Sequence, residues 1–227
     1  MVTVAQARPS DRAVFIRRTY THLAGAVAAF IAVEVLLFMT GIAGAITSLL
    51  AGSRFIWLAI LGGFALLGWF ARSLIARAQS GEQQYLGLGL YVVGEAVIFA
   101  PILYIAANFT TSDVIPTAAL LTLLLFGGLT TIAFTTKTDF SFLRGFLTIG
   151  GFIALGLILC SVIFGFTLGL LFSAAMVVFA SAAILYDTSK IMHHYSTDQH
   201  VAASLELFAS VALLFWYVLR IVMAMRR

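Results

Sequence analysis

Seven predominantly apolar stretches, each about 20 residues long, follow one another along the chain, separated by short polar or turn-forming breaks. A helix rises 1.5 Å per residue, so about 20 apolar residues cross the ~30 Å hydrocarbon core of a bilayer. The pattern predicts an all-α integral membrane protein with spans at 19–43, 55–76, 84–107, 114–135, 143–165, 168–192 and 199–222. The breaks read "TSLLAGSR", "ARAQSGEQQ", "NFTTSDVIP", "TTKTDFS", "FGFTLG" and "YSTDQH". In the last, Ser196 and Gln199 have capping-box spacing and predict the start of the final helix. The organisation is a cytoplasmic N-terminal segment, 1–18, followed by a single seven-helix transmembrane domain, 19–227. The first apolar run begins at Tyr20, behind Arg17 and Arg18, and is long enough to be retained as a span rather than cleaved as a signal.

Composition sharpens this picture. Of 227 residues, 62% are hydrophobic and 10% charged, against about 25% charged in soluble domains, so almost no extramembrane domain is expected. The net charge of +4 is scattered between spans, which makes it a topology signal rather than a nucleic-acid footprint. With the N-terminus inside, the inner segments hold Arg8, Arg12, Arg17, Arg18, Arg72, Arg77, Lys137, Arg144 and Lys190. The outer segments hold Arg54, Arg220, Arg226 and Arg227. Positive residues favour the cytoplasmic side, so the N-terminus is expected there. The single cysteine, Cys160, reads as mid-span, and no intramolecular disulfide is expected.

Acids inside the spans carry the candidate chemistry, because an ionised acid at mid-bilayer costs roughly 2.5–3.5 kcal/mol and should face protein or water. Four qualify: Glu34, Glu95, Asp187 and Glu206. Glu95 lies near the midplane of the third span, and Pro101 in that span leaves the Val97 carbonyl without its helical donor, so a kink there would open a pocket beside the acid. Glu34, nearer the outer side, reads as structural. Asp187, near the inner end of the sixth span, is either a solvated helix end partnered by Lys190 one turn on, or a functional acid. In the seventh span Glu206 and Ser210 are i, i+4, with Tyr217 and Arg220 close to the same stripe, so this helix should be buried. Glu206 enters from the side on which Asp187 exits, so the two acids can couple, with Arg72 as the cationic partner.

Other features take ordinary readings. The glycine doublets in "GGFALLG", "GGLTTIA" and "GGFIALG" suit close helix packing, with a weak inverted repeat of spans two and five as the alternative. His193, His194 and His200 read as solvated interfacial residues rather than metal ligands, and His22 as a helix-end residue. Trp57, Trp69, Tyr85 and Trp216 fit interfacial or packing roles. No HExxH, no GxSxG with a paired histidine and no phosphate-cradling glycine loop is present, and Ser161, Ser173 and Ser181 have no facing histidine, so no enzyme and no cofactor are expected.

The segments "YVVGEAVIFAPILY" (91–104), "TKTDFSFLRGFL" (136–147), "AAILYDTSKIMHH" (182–194) and "ELFASVALLFWYVLRI" (206–221) make the chain resemble the Bax inhibitor (transmembrane Bax inhibitor motif) family over nearly its whole length. That resemblance implies a bundle with the seventh helix surrounded by the other six, a proton-sensitive calcium leak, and links to suppression of cell death or stress. It also implies a pair of pH-sensing aspartates near the inner ends of helices six and seven, with an arginine of helix two nearby. Asp187 matches the first aspartate and Arg72 the arginine, whereas aligning on "YVLRI" puts Ser210 where the second aspartate stands. Glu206, one turn from Ser210, is then the candidate substitute partner, and Asp187 with Glu206 a transient calcium site.

These readings define a pH-modulated calcium leak with Asp187, Glu206, Ser210, Arg72 and Glu95 along its ion pathway, acting on calcium and protons in a lipid bilayer. A regulatory membrane protein that restrains a quality-control protease or a stress- or death-signalling partner is the alternative, implied by bacterial relatives that also lack the second aspartate. A proton-coupled carrier built on Glu95 and the repeat is a third reading. The short termini favour a bacterial cytoplasmic membrane.

Overall fold

The computed structural model describes residues 3–78, 81–136 and 138–226, apart from the Arg54 side chain. Helices dominate it: α1 (Pro9–Met39), α2 (Ile42–Gly52), α3 (Arg54–Arg77), α4 (Gly81–Phe109), α5 (Val114–Thr135), α6 (Leu143–Phe164), α7 (Gly169–His193) and α8 (His200–Met225), with a 3-10 turn at Phe140–Phe142 before α6. Seven of them are long and apolar enough to cross a membrane, and α2 is a shorter apolar helix. The protein is an integral membrane protein.

Two boundaries depart from the hydropathy reading. α1 starts at Pro9, whose fixed φ suits a first helical turn, and runs unbroken past residue 18, so the helix begins ten residues before the apolar run expected at 19. The stretch 42–52 is helical rather than loop: Gly41, at φ 75°, adopts a left-handed conformation that turns the chain sharply from α1 into α2. At the other end of the bundle Gln199, not Ser196, precedes α8. Half of the expected capping box forms, since the Gln199 side chain accepts from the Ser196 N–H at 3.0 Å. Lys137 and Arg227, counted in the charge balance, and Gln79 and Ser80 of the second break lie outside the described residues.

α4 and α8 are the interior helices; the other spans expose far more apolar surface. α8 packs against α1, α3, α4, α5 and α7, whereas α6 packs on α7 and α3 and makes no close backbone approach to α8. Five spans therefore enclose the last helix, and α6 stands outside, with Ile149, Phe152 and Phe164 exposed as a lipid face. Cys160 is exposed one turn from the end of α6, not mid-span. The centre is aromatic: Phe30 of α1, Phe99 of α4 and Phe208 and Trp216 of α8 meet edge to face, and Phe99 stacks on Phe215 at 5.7 Å. In lipid no hydrophobic force drives helices together, so such packing has to hold the bundle. Several hydroxyls within the spans are satisfied by their own helices: Thr122, Ser161, Ser173 and Ser181 each donate to a carbonyl three or four residues back.

The chain ahead of α1 returns to the α7–α8 turn. Thr3 and Ser196 form an isolated antiparallel bridge, and the Val4 N–H donates to the Tyr195 carbonyl at 2.8 Å, with Val4 0% exposed. At the opposite end Arg226 pairs with Asp113 of the α4–α5 loop at 3.1 Å.

The close-packing glycines are not the doublets. A Cβ on Gly62, Gly63, Gly127 or Gly128 would meet nothing within 4 Å, and in the third doublet Gly150 alone is tight, against Phe179. The seam between α3 and α4 depends instead on Gly87 and Gly94, two turns apart on α4. A Cβ at Gly87 would sit 2.7 Å from Ile75 Cγ1 and 3.0 Å from the Ala71 carbonyl oxygen, and one at Gly94 would collide with Leu67 Cδ2. Backbone cannot yield as a side chain does, so Gly87→Ala should destabilise the protein by about 1–3 kcal/mol. Gly63→Ala should be neutral or stabilising by up to ~1 kcal/mol through helix propensity. Thermal unfolding of the two variants in detergent distinguishes them.

Candidate functional site

Asp187 lies six residues before the end of α7 and Glu206 six residues after the start of α8, each roughly 9 Å from the turn that joins the helices. The Ser210 hydroxyl, on a buried stretch of α8, donates to Asp187 Oδ2 at 2.5 Å. Lys190, one turn beyond Asp187, reaches across to α8 and donates to both Glu206 oxygens at 3.0 Å. That pair is partly screened from solvent, with side-chain exposures of 33% and 23%. The Lys190 ammonium also lies 5.6 Å from the centre of the Tyr195 ring, whose hydroxyl is within hydrogen-bonding reach of Glu206. Burial, and then the Glu206 carboxylate beside it, hold the Tyr195 phenol above its ordinary value.

The polar series continues inward along α3 and α4. Arg72 lies over the Tyr91 ring, 5.7 Å from its centre, and is close enough to act electrostatically on Asp187, Tyr91 and Glu95. Glu95 is the middle residue of α4, roughly 21 Å from its start. It is 6% exposed, and its Oε2 has no hydrogen-bond partner. Acids, bases and hydroxyls thus run from the α7–α8 turn to the middle of the bundle.

Residues 12–227 match the family model described as "Inhibitor of apoptosis-promoting Bax1". The chain belongs to the Bax inhibitor family. It is 29% identical to Bax inhibitor 1 of Schizosaccharomyces pombe over 228 residues, 96% of this chain and 79% of that protein. It is 42% identical over 110 residues to an uncharacterised protein of Pseudomonas aeruginosa, a match that spans 48% of this chain and about half (49%) of the relative. An uncharacterised membrane protein of Vibrio cholerae is 32% identical over 123 residues, covering 53% of this chain and 55% of that protein.

Several pairings in this Bax inhibitor family chain differ from those expected. Lys190 is bonded to Glu206, not to Asp187, because a lysine facing the next helix reaches a carboxylate there while Asp187 turns toward Ser210. Both Glu206 oxygens accept from the Lys190 ammonium, and the Glu206 carboxylate lies close enough to Asp187 to act on it electrostatically. Ser210, at the position where that aspartate aligns, is what faces Asp187. A cavity lies beside Glu34, lined by neither Glu95 nor Pro101, and Pro101 sits buried in an unbroken helix. His22 is more than a helix-end residue. It accepts from or donates to the Tyr85 hydroxyl at 2.8 Å and stands 4.9 Å from the His200 ring, joining α1, α4 and α8. Tyr217 is buried, packing edge to face on Phe172. Among the described residues no three His, Cys, Asp or Glu side chains gather into a metal site.

The sequence reading missed a contact between two of the segments that carry the resemblance. Ser189, buried in "LYDTSKI", accepts from the Phe140 N–H at 3.0 Å and donates to Asp139 Oδ1 at 3.3 Å, both in "TDFSFLRGFL". Asp139 also caps the 3-10 turn, accepting from the Ser141 N–H at 2.9 Å and from its hydroxyl. The Ser141 bonds hold the Asp139 carboxyl below its ordinary value. An aspartate with a serine two residues on is a local turn signal, and it was there to be read.

Ser189→Ala orphans the Phe140 amide and should cost about 1–3 kcal/mol, seen as a lowered unfolding temperature in detergent. Because the folded carboxyl sits below its unfolded value of 3.8, the contribution of Asp139 is fully present above that pH and is lost as pH falls through the folded value. The melting-temperature gap between wild type and Asp139→Asn should accordingly close on acidification.

Proposed function

We propose that this chain is a proton-controlled cation leak, with calcium as the permeating ion, gated where α7 meets α8. The observation that carries this reading is the Ser210–Asp187 hydrogen bond, set within a polar series that reaches Glu95 at mid-helix. An ionised Asp187 accepts a charge-assisted bond from Ser210 and is attracted by Arg72 and Lys190. Protonation removes the charge, weakens the bond and loosens α7 from α8. Calcium prefers carboxylate and carbonyl oxygens, which Asp187 and Glu95 offer along the route. In this reading the protein holds no resident cofactor, catalyses no reaction and sits in a bacterial cytoplasmic membrane with its N-terminus inside. Arg8, Arg12, Arg17, Arg18, Arg72, Arg77, Arg144 and Lys190 all belong to the end of the bundle at which α1 starts, which supports that orientation.

Ser210 in place of a second acid favours one other reading: a non-conducting member that restrains a membrane protease or a stress-signalling protein. Calcium entry into liposomes that enclose an indicator dye tests both. The leak should rise on acidification. Ser210→Ala should raise flux at neutral pH by roughly tenfold or more, the equivalent of a hydrogen bond to a charged group. Asp187→Asn should abolish the pH dependence. An unaltered pH profile in Asp187→Asn overturns the gate; no flux from wild type, with a protease co-purifying, establishes the alternative.

A further inference from the structure

On the far side of α8 from the Asp187 network, α1, α4, α5 and α8 enclose a cavity of about 600 Å³. Its walls are almost wholly apolar, formed by side chains such as Phe30, Phe38, Leu103 and Phe215. Within them stands one carboxylate. Glu34 is 6% exposed, and neither of its oxygens has a hydrogen-bond partner. Thr122, the other polar lining residue, spends its hydroxyl on the Ala118 carbonyl. Among the described residues no basic side chain lies close enough to act on Glu34. The cavity follows α1 from Val27 to Met39, roughly 18 Å of helix, and Glu34 projects about midway along it. At its rim Ile31, Val35 and Leu123 are exposed on the outer surface of the bundle, the surface that meets lipid.

An acid in such a place is normally paired with a base or a backbone donor of the same protein, because an unpaired polar group in hydrocarbon costs several kcal/mol. Here the bundle supplies none and leaves room for a guest. We propose that this cavity is a binding site for a lipophilic primary amine, which enters from the membrane, seats its ammonium on Glu34 and lays its alkyl chain along Phe30 and Phe38. Charge complementarity selects the head group: an ammonium satisfies both carboxylate oxygens and cancels the buried charge, whereas an alcohol offers one donor and no charge, and a fatty acid brings a second carboxyl. The site is independent of the Asp187 gate.

The test uses the full-length protein in phosphatidylcholine nanodiscs and an alkylamine carrying a photoreactive diazirine. The probe should label α1 and α5 peptides saturably, with dodecylamine competing and dodecanol failing to compete. Glu34→Gln should weaken labelling roughly tenfold or more, as the loss of a hydrogen bond to a charged group requires. Ala119→Leu, which fills the cavity from α5 and leaves the acid intact, should weaken it as well; circular dichroism and melting of both variants verify that they fold. Equal labelling of wild type and Glu34→Gln, or equal competition by dodecanol, overturns the assignment.

Discussion

Lipid offers a hydroxyl or carboxylate no partner, and that constraint places α8. Its sequence is apolar enough to span a membrane, yet Glu206 and Ser210 occupy one of its faces. Facing lipid, both would be stranded. Facing α7 they meet Lys190 and Asp187, and neighbouring spans then close around the helix. Serines and threonines such as Thr122, Thr131, Thr148 and Ser161 need no such enclosure, because a carbonyl of their own helix serves them. That is why α5 and α6, which carry such hydroxyls and no acid, can remain at the periphery with most of their surface exposed.

The interior that results is divided. Toward the α7–α8 turn it is ionic, with charges of both signs within reach of one another. Beyond the aromatic cluster of Phe99, Phe208 and Trp216 it is oily, and Glu34 there has no counter-charge among the described residues. The same residue type is thus held in two ways within one bundle: by neighbours in the first half, and by exclusion in the second.

The order and number of spans were legible because hydropathy over 20 residues is a property of sequence alone. α2 was not, because an eleven-residue stretch that mixes apolar residues with Gly44, Thr47, Ser48 and Gly52 resembles a loop as much as a short helix. α1 extends back to Pro9 over a stretch in which Ser10, Asp11, Arg12, Arg17 and Arg18 leave an apolar run of only four residues, 13–16. The polar residues of the site were likewise visible as exceptions within apolar runs, and Asp187, Glu206, Ser210, Arg72 and Glu95 do lie along one series. Their pairings were hidden. Spacing along α7 puts Lys190 beside Asp187, while the crossing of α7 and α8, which no local pattern encodes, delivers it to Glu206. The glycine doublets mislead for the same reason: small residues permit a close approach, but which glycine meets a neighbour depends on how each helix is rotated, and on α4 those are Gly87 and Gly94.

The short strand-like contact ahead of α1 has a practical corollary. Val4 is hydrogen-bonded to the carbonyl of Tyr195, and the Tyr195 ring in turn borders the Lys190–Glu206 pair. An affinity tag or fluorescent fusion spliced just before Thr3 would pull on this clasp and report on a perturbed molecule. The same label carried beyond Arg226 would emerge at the opposite face of the bundle, where the neighbouring polar contact is the Arg226–Asp113 pair.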